Sequence, residues 1–324
     1  MKNYFYKSTS NDGWRNLAQD EWFINNMGED ELMLYLYVNE NAVIIGKNQN
    51  PWKECNLSAM EQDNVQLVRR ISGGGAVYHD MGNLNFSFIA NKKRYDLEKQ
   101  MSMILSAVRM MGIDAEATGR NDITVDGKKF SGNAFATRGQ NMMHHGTLLL
   151  NADLSKLPGY LTVDPKKIKS KGIDSVRARV VNLNELNPSI DMDMAVSALR
   201  KAFTEVYGDF AEFEPTEEFS SGSDKLYRVH SSWEWRMGNA PVFDYEVDER
   251  FPFGNIQLFM SVRNGCITEA KAYSDALDHD IAEKITGHLT GVRFTPHDIA
   301  SAIRQNSRDS AVAQFADYME SAEL

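Results

Sequence analysis

The densest run of chemistry-bearing residues is Arg69-Arg70-Ile71-Ser72-Gly73-Gly74-Gly75-Ala76-Val77-Tyr78-His79-Asp80, in which paired arginines stand beside three consecutive glycines. Glycines give up side-chain packing and carry the largest backbone entropy cost. A folded chain tolerates a row of them where its backbone approaches something closely or takes φ > 0. A ligand is one such thing, and successive N–H groups in such a turn can form an anion-binding nest. A solvated loop beside exposed arginines is the other reading of the same residues. Two phosphate-binding loops are excluded. No Gly-Lys-Ser/Thr follows as in a Walker A loop, and the glycines lead toward a strand, not into the helix a dinucleotide fingerprint needs.

A second candidate is Asp122-Ile123-Thr124-Val125-Asp126-Gly127-Lys128-Lys129-Phe130-Ser131. Asp-Gly between two strand-like halves is the strongest short hairpin signal. A two-residue turn sets Val125 opposite Lys128, Thr124 opposite Lys129, Ile123 opposite Phe130 and Asp122 opposite Ser131, and opposed residues share a face. Lys128 then falls with Ile123, Val125 and Phe130, while Lys129 joins Asp122, Thr124 and Ser131 on a polar face. A lysine beside a turn is otherwise a solvated surface charge. His79, His144 and His145 lack HxH or HExxH spacing, and hydrogen-bonded structural roles suit His79 and His144. Cys55 and Cys266 are far apart, with no CxxC, which argues against a disulfide framework or structural zinc. A basic cluster of Lys166, Lys167, Lys169, Lys171, Arg177 and Arg179 is interrupted by one acid, Asp174.

The elements that must position these groups follow from periodicity. Asn11 or Asp12 caps a helix with Trp14, Leu17, Ala18 and Trp22 on one face. Leu32 to Val38 and Ala42 to Ile45 read as strands joined by a hairpin at Asn39-Glu40-Asn41, and Val65 to Arg70 and Leu84 to Ile89 as two more. Asp96 caps a helix bearing Leu97, Met101, Ile104, Leu105 and Val108 inward, ended by Gly112. Leu148 to Leu150 continues the sheet, and a helix from Asp191 to Tyr207 ends at Gly208. Past Asn239-Ala240-Pro241 the pattern restarts, with alternating Ile256, Leu258 and Met260 and a hairpin at Asn264-Gly265. That restart, in a chain of 324 residues, predicts a separate α+β unit with its boundary near 241 to 250.

Composition narrows the class. Hydrophobic residues at 42% and charged residues at 25% are those of a globular protein. A net charge of −10 disfavours a nucleic-acid footprint. No apolar run approaches the ~20 residues needed to span a bilayer, and the N-terminus has no signal-like stretch, so the cytoplasm is the expected address.

Arg69 to Asp80, with Gly82-Asn83 after it, resembles the RRxSGGGAVxHDxGN signature of the biotin/lipoate ligase superfamily, in its lipoate-protein ligase A version. Asn50 to Asn56, Gly119 to Asp122, Lys129 to Gly132, His145 to Leu149 and Ser231 to Trp235 are similar to that family's segments in its order. The resemblance implies an α+β fold. A large catalytic domain over 1–243, with mixed and largely antiparallel sheets flanked by helices, would precede a small C-terminal α+β domain over 249–324. It implies a two-step reaction, in which lipoate attacks the α-phosphorus of ATP and a lysine of an acceptor then attacks the lipoyl-adenylate. The acceptors would be lipoyl domains of 2-oxoacid dehydrogenase E2 subunits or the glycine cleavage H protein.

By family position Lys129 contacts both nucleotide and acyl carboxylate. Arg70, Gly75, Ala76, Val77, Tyr78, Asn83, Asn121 and Asp122 would serve ATP, and Ser72, Gly73, Gly74 and His145 would border the lipoyl group. Asp122 would be the magnesium ligand, since hard cations prefer carboxylate oxygen; a turn-proximal structural acid is the alternative. The Lys166 to Arg179 cluster would cover the adenylate and keep water out. Asn133, Phe135 and Thr137 follow no fixed family pattern and could shape acyl preference. Lipoate and octanoate stay undivided, because apolar pockets separate such chains by only ~1 to 3 kcal/mol. The expected state is a monomer. An octanoyltransferase would need a cysteine nucleophile, and no cysteine follows His145 until Cys266. A biotin ligase would carry a different loop at Ser72-Gly73-Gly74-Gly75. A non-catalytic lipoate-binding regulator is the remaining alternative, against which Lys129 and Arg70 argue.

Overall fold

In the computed structural model, residues 2–118, 121–161, 180–237 and 244–322 are described. The basic cluster from Lys166 to Arg179, the Gly119-Arg120 pair and part of the expected domain junction lie outside them. The chain forms two compact units, one of Met1–Ile44, Trp52–Arg69 and Val77–Arg236, the other of Ile45–Pro51, Arg70–Ala76 and Met237–Leu324.

The first unit is built on eight strands. These are β1 (Lys2–Lys7), β2 (Glu31–Val38), β6 (Asn83–Asn91), β7 (Glu116–Thr118), β8 (Asp122–Val125), β9 (Lys128–Arg138), β10 (Asn141–Leu149) and β11 (Ala211–Glu212), in the spatial order β11-β1-β2-β6-β10-β9-β8-β7. β1 runs parallel to both its neighbours, and the other pairings are antiparallel. A smaller sheet sets β3 (Ala42–Ile45) between β4 (Gln66–Arg69) and β5 (Val77–His79). The Asn39-Glu40-Asn41 connection is therefore not a hairpin. Both edges of β2 are already paired, to β1 and β6, so β3 has no edge to join and passes to the second sheet.

One face of the large sheet packs Leu34, Leu36, Phe86, Phe88, Ile123 and Phe130 against the Leu97–Met110 and Met192–Tyr207 helices. Asp96 and Asp191 cap these helices, each side chain accepting a backbone N–H three residues on, as the sequence pattern anticipates. Of the expected inward face of the Leu97–Met110 helix, Ile104 and Val108 are buried in the core and Met101 and Leu105 pack against it. Leu97 is exposed, while Gln100, Met103, Ile104, Ala107 and Val108 are buried. Gln100 is drawn inward because its amide meets the buried His144 ring at 3.0 Å. On the other face lies the Gly13–Asn26 helix, capped by Asp12, with an aromatic cluster of Tyr6, Phe23, Tyr35, Phe213 and Phe219.

The second unit carries β12 (Tyr245–Phe251), β13 (Gly254–Arg263) and β14 (Cys266–Ser274) as an antiparallel sheet. Ile256, Leu258 and Met260 face a core completed by the Ile281–Thr286, Pro296–Asn306 and Ser310–Ser321 helices. The Asn264-Gly265 turn joins β13 to β14 with both residues at positive φ, 53° and 74°.

Phe203 is fully buried in the first unit's core. Phe203→Ala is expected to lower unfolding stability by about 3–5 kcal/mol, read from urea midpoints; a cost under about 1 kcal/mol would contradict this packing.

Candidate active site

The Asp126-Gly127 turn has both residues at positive φ, 49° and 72°, the conformation that matches the twist of two antiparallel strands. Val125 pairs with Lys128 and Thr124 with Lys129 as expected, but beyond them a bulge shifts the register. Ile123 stands opposite Ser131 and Asp122 opposite Gly132, not opposite Phe130 and Ser131. Phe130 is the extra residue. It is buried in the core with Ile123 and Val125, while the Lys129 carbonyl accepts the Val181 N–H at 3.0 Å.

The slip leaves Lys129 on the face of Asp122, and their charged groups lie 2.7 Å apart with each side chain a little over one-third exposed. It also puts Gly132 beneath the lysine. A Cβ on Gly132 would stand 2.9 Å from Lys129 Nζ and 3.0 Å from its Cε, so the missing side chain is the space the ammonium stem occupies. Lys128 is exposed. Asn121 and Asn133 clamp the next step: the Asn133 backbone N–H and Nδ2 donate to the Asn121 carbonyl at 2.8 and 3.1 Å, and Asn121 Nδ2 donates to the Asn133 carbonyl at 3.3 Å.

His145 and His144 point to opposite faces of the sheet, as neighbours in a strand must. His145 shares a row with Ser87 and Tyr35 across β10, β6 and β2, and its Nδ1 lies 3.4 Å from Asp20 Oδ2. Tyr37 donates to the same oxygen at 3.1 Å, and Tyr35 donates to Gln19 Oε1 at 2.8 Å. Burial, and then the Asp20 charge, hold both phenols protonated well above their ordinary range. Asp20 and Tyr37 escape a sequence reading; the available signal is a polar run, Gln19-Asp20, on the inward side of a helix. Asn83 belongs to the same sheet. Its Nδ2 donates to Asn85 Oδ1 at 3.0 Å, and its own Oδ1 is buried with no partner among the described residues.

Tyr78 donates to Asn41 Oδ1 at 3.0 Å and packs on Tyr160; burial is the main cause that lifts its phenol to about 12. It borders an open groove of about 750 Å³ whose charged lining includes Glu40, Asp80, Asp153 and Lys156. Arg69 is locked in place. Trp235 Nε1 donates to its carbonyl at 2.9 Å, and the Arg69 guanidinium donates to the Trp235 and Arg236 carbonyls at 2.9 and 2.7 Å.

Within the second unit, the Arg70 guanidinium donates to the Gly73 and Gly75 carbonyls at 2.7 and 2.8 Å and to Ser72 Oγ at 3.1 Å. It therefore holds the shape of its own loop. Gly74 N–H donates to the Ala276 carbonyl at 2.7 Å, so this donor serves protein in the structure. A Cβ on Gly73 would come within 2.5 Å of the Ala276 and Leu277 carbonyl oxygens, and glycine is required there for backbone to meet backbone. Ser72 is buried, while Gly75, Ala76 and Val77 are more open.

Among the described residues one group has metal-binding spacing, Asp278, His279 and Asp280, and Asp122 is not part of it. Lys284 and Lys47 already pair with the two aspartates. Cys55 is a buried thiol pushed up to about 12 by burial, so it supplies no thiolate at neutral pH. Cys266 is half-buried.

Burial, with the charge of His145 second, pushes the His144 imidazole from 6.5 down to about 3. The unfolded chain takes up a proton near pH 6.5 that the fold refuses, so this contribution is complete above 6.5 and is lost as pH falls toward 3. The loss is roughly 1.4 kcal/mol per pH unit. Between pH 7 and pH 5 His144→Gln should therefore lose about 2 kcal/mol less stability than the wild type, measured by urea unfolding at both values. Equal losses in the two proteins would remove His144 from the acid sensitivity.

Residues 12–204 match the lipoyl protein ligase A/B catalytic domain family and residues 240–319 the bacterial lipoate protein ligase C-terminus family. The chain is 40% identical over 331 residues to the lipoate-protein ligase A of Psychrobacter cryohalolentis, covering 99% of this chain and 98% of that protein. P. falciparum LipL1, solved in complex with lipoate, superposes with a TM-score of 0.87 at 30% identity, over 99% of this chain and 100% of that one. A lipoate-protein ligase A bound with ATP superposes with a TM-score of 0.65 at 30% identity, over 74% and 99% of the two chains. With a catalytic-domain match over more than half its length and a full-length relative at this identity, the chain belongs to the lipoate-protein ligase family.

Proposed function

We propose that the protein joins lipoate to ATP as lipoyl-adenylate and transfers the lipoyl group to a lysine of an acceptor domain. The observation that carries this is Lys129, a cation laid over a glycine and held 2.7 Å from Asp122. Two anions must meet in the first step, the lipoate carboxylate and the α-phosphate. A fixed positive charge between them lowers their repulsion and stabilises the charge that builds on the phosphoryl oxygens. Carboxylate oxygen attacks the α-phosphorus and pyrophosphate leaves. In the second step the acceptor amine attacks the acyl carbon, AMP leaves with the bonding pair, and the amine nitrogen sheds a proton.

The ATP-bound and lipoate-bound relatives support this pair of substrates. By family pattern Arg70, Gly75, Ala76, Val77, Tyr78, Asn83, Asn121 and Asp122 serve the nucleotide, and Ser72, Gly73, Gly74 and His145 the acyl group. The His145, Asp20 and Tyr37 cluster is polar, buried and pre-ordered, which suits a group that must be oriented before it reacts. Asp122 is the carboxylate that would hold a magnesium ion together with phosphate oxygens, and the orphaned Asn83 Oδ1 is a further oxygen donor of the kind such ions accept. The ion would neutralise phosphate charge. The acceptors are lipoyl domains of 2-oxoacid dehydrogenase E2 subunits or the glycine cleavage H protein. The buried, protonated Cys55 thiol speaks against an acyl-cysteine route. No helix among the described residues is long and apolar enough to cross a membrane.

Purified protein with magnesium should catalyse lipoate-dependent exchange of pyrophosphate into ATP and raise the mass of a lipoyl domain by one lipoyl group. Wild-type protein without exchange would sink the ligase reading. Lys129→Ala should abolish exchange with the melting temperature kept. Gly132→Ala pushes only the flexible end of Lys129, so stability should change by less than about 1 kcal/mol while exchange falls about tenfold or more; unchanged exchange would show that the lysine's position over Gly132 does not matter.

A further inference from the structure

His144 has no part in the chemistry just described, yet it is fully buried and held on both ring nitrogens. Nδ1 lies 3.0 Å from Gln100 Oε1 and Nε2 lies 2.9 Å from Asn133 Oδ1. Phe88 and Phe135 stack on the ring at 5.8 and 5.1 Å, and Phe86 meets it edge-on at 5.5 Å. A neutral imidazole carries one N–H, so it cannot donate to two carbonyl oxygens. One amide must be turned around, and side-chain amide orientation is settled by its network.

The network has a single consistent solution. Asn133 Nδ2 donates to the Asn121 carbonyl at 3.1 Å. Turning this amide would set oxygen against oxygen, so its Oδ1 must face His144, whose Nε2 then carries the hydrogen. Gln100 is free to turn. Its Nε2 is buried without a partner among the described residues, and turning the amide lets that nitrogen donate to His144 Nδ1. The hydrogen bonds then run one way, from Gln100 to His144 to Asn133 to the Asn121 carbonyl, one residue before Asp122.

We infer that His144 is a positioning residue, which as the Nε2–H tautomer fixes the Asn133 amide and through it the register of β8 beyond the bulge, and so the place of Asp122 beside Lys129. The bulge makes such a device necessary. From Lys129 to Ser131 one strand carries an extra residue, and the register beyond a bulge needs contacts on its far side to hold it. The Asn133–Asn121 clamp is that pin. Without the His144 donor, Asn133 has a buried carbonyl to satisfy and no reason to keep its Nδ2 on Asn121. The low basicity of the buried ring keeps the tautomer uncharged across the working pH range.

The inference rests on the proposed ligase function for its kinetic test and is independent of it for its structural one. Nitrogen-15 chemical shifts of His144 in the wild-type protein at pH 7 should show a protonated Nε2 and a bare Nδ1; a protonated Nδ1 overturns the relay. In the exchange reaction His144→Phe, which keeps the stacking and loses the donor, should lower kcat by about 10- to 100-fold with KM for lipoate changed less than about 3-fold. His144→Gln, which can donate to Asn133 and accept from Gln100, should recover most of the loss. Wild-type kcat in His144→Phe, or no recovery in His144→Gln when both variants melt normally, would overturn the positioning role. The imidazole shifts decide the relay even if wild-type protein makes no adenylate, a result that would instead overturn the proposed function.

Discussion

Lys129 carries its charge beside Asp122 on a strand, β9, that slips by one residue after it. A regular hairpin would set Ser131 opposite Asp122; the bulge substitutes Gly132, and the lysine stem lies across the space a side chain would fill. On the opposite face of the sheet Phe130 is taken into the core with Ile123 and Val125, the side on which a regular hairpin would also place it.

Adjacent histidines in β10 divide along the same line. His145 faces a layer of buried polar groups, Asp20, Tyr37 and Tyr35, that is connected by hydrogen bonds and backed by aromatic rings. His144 faces the helix-covered side, where the surroundings hold it neutral. Buried polar groups are costly unless paired, and each of these histidines is paired within its own layer.

The glycine loop is held together by different forces. Arg70 donates to the carbonyls of the loop it introduces, and Gly73 and Gly74 meet the backbone of Ala276 and Leu277. A residue type that reads as a phosphate cation and a run that reads as a nest both spend hydrogen-bonding capacity on protein. The anticipation of close backbone approach holds, with another stretch of chain as the thing approached.

Local rules were sufficient wherever the cause is local. Helix caps at Asp12, Asp96 and Asp191, the turns at Asp126-Gly127 and Asn264-Gly265, and the separation of Lys129 from Lys128 all follow from residues within a few positions of one another. The family signature around Arg69 to Asp80 is equally local, and it led to the ligase assignment. What the amino-acid order alone left undecided depends on partners distant in the chain. Asn39 to Asn41 could not reveal that β2 has no free edge, since β1 and β6 occupy both. The Leu97–Met110 helix buries the polar Gln100 because its partner is His144, forty-four residues on. The bulge, the Gly132 floor and the amide chain to Asn121 arise only when the sheet has assembled. By itself the sequence determined the family and the separation of Lys129 from Lys128; the tertiary structure decided what holds Lys129 in place, because register and burial are properties of the assembled sheet and not of its strands.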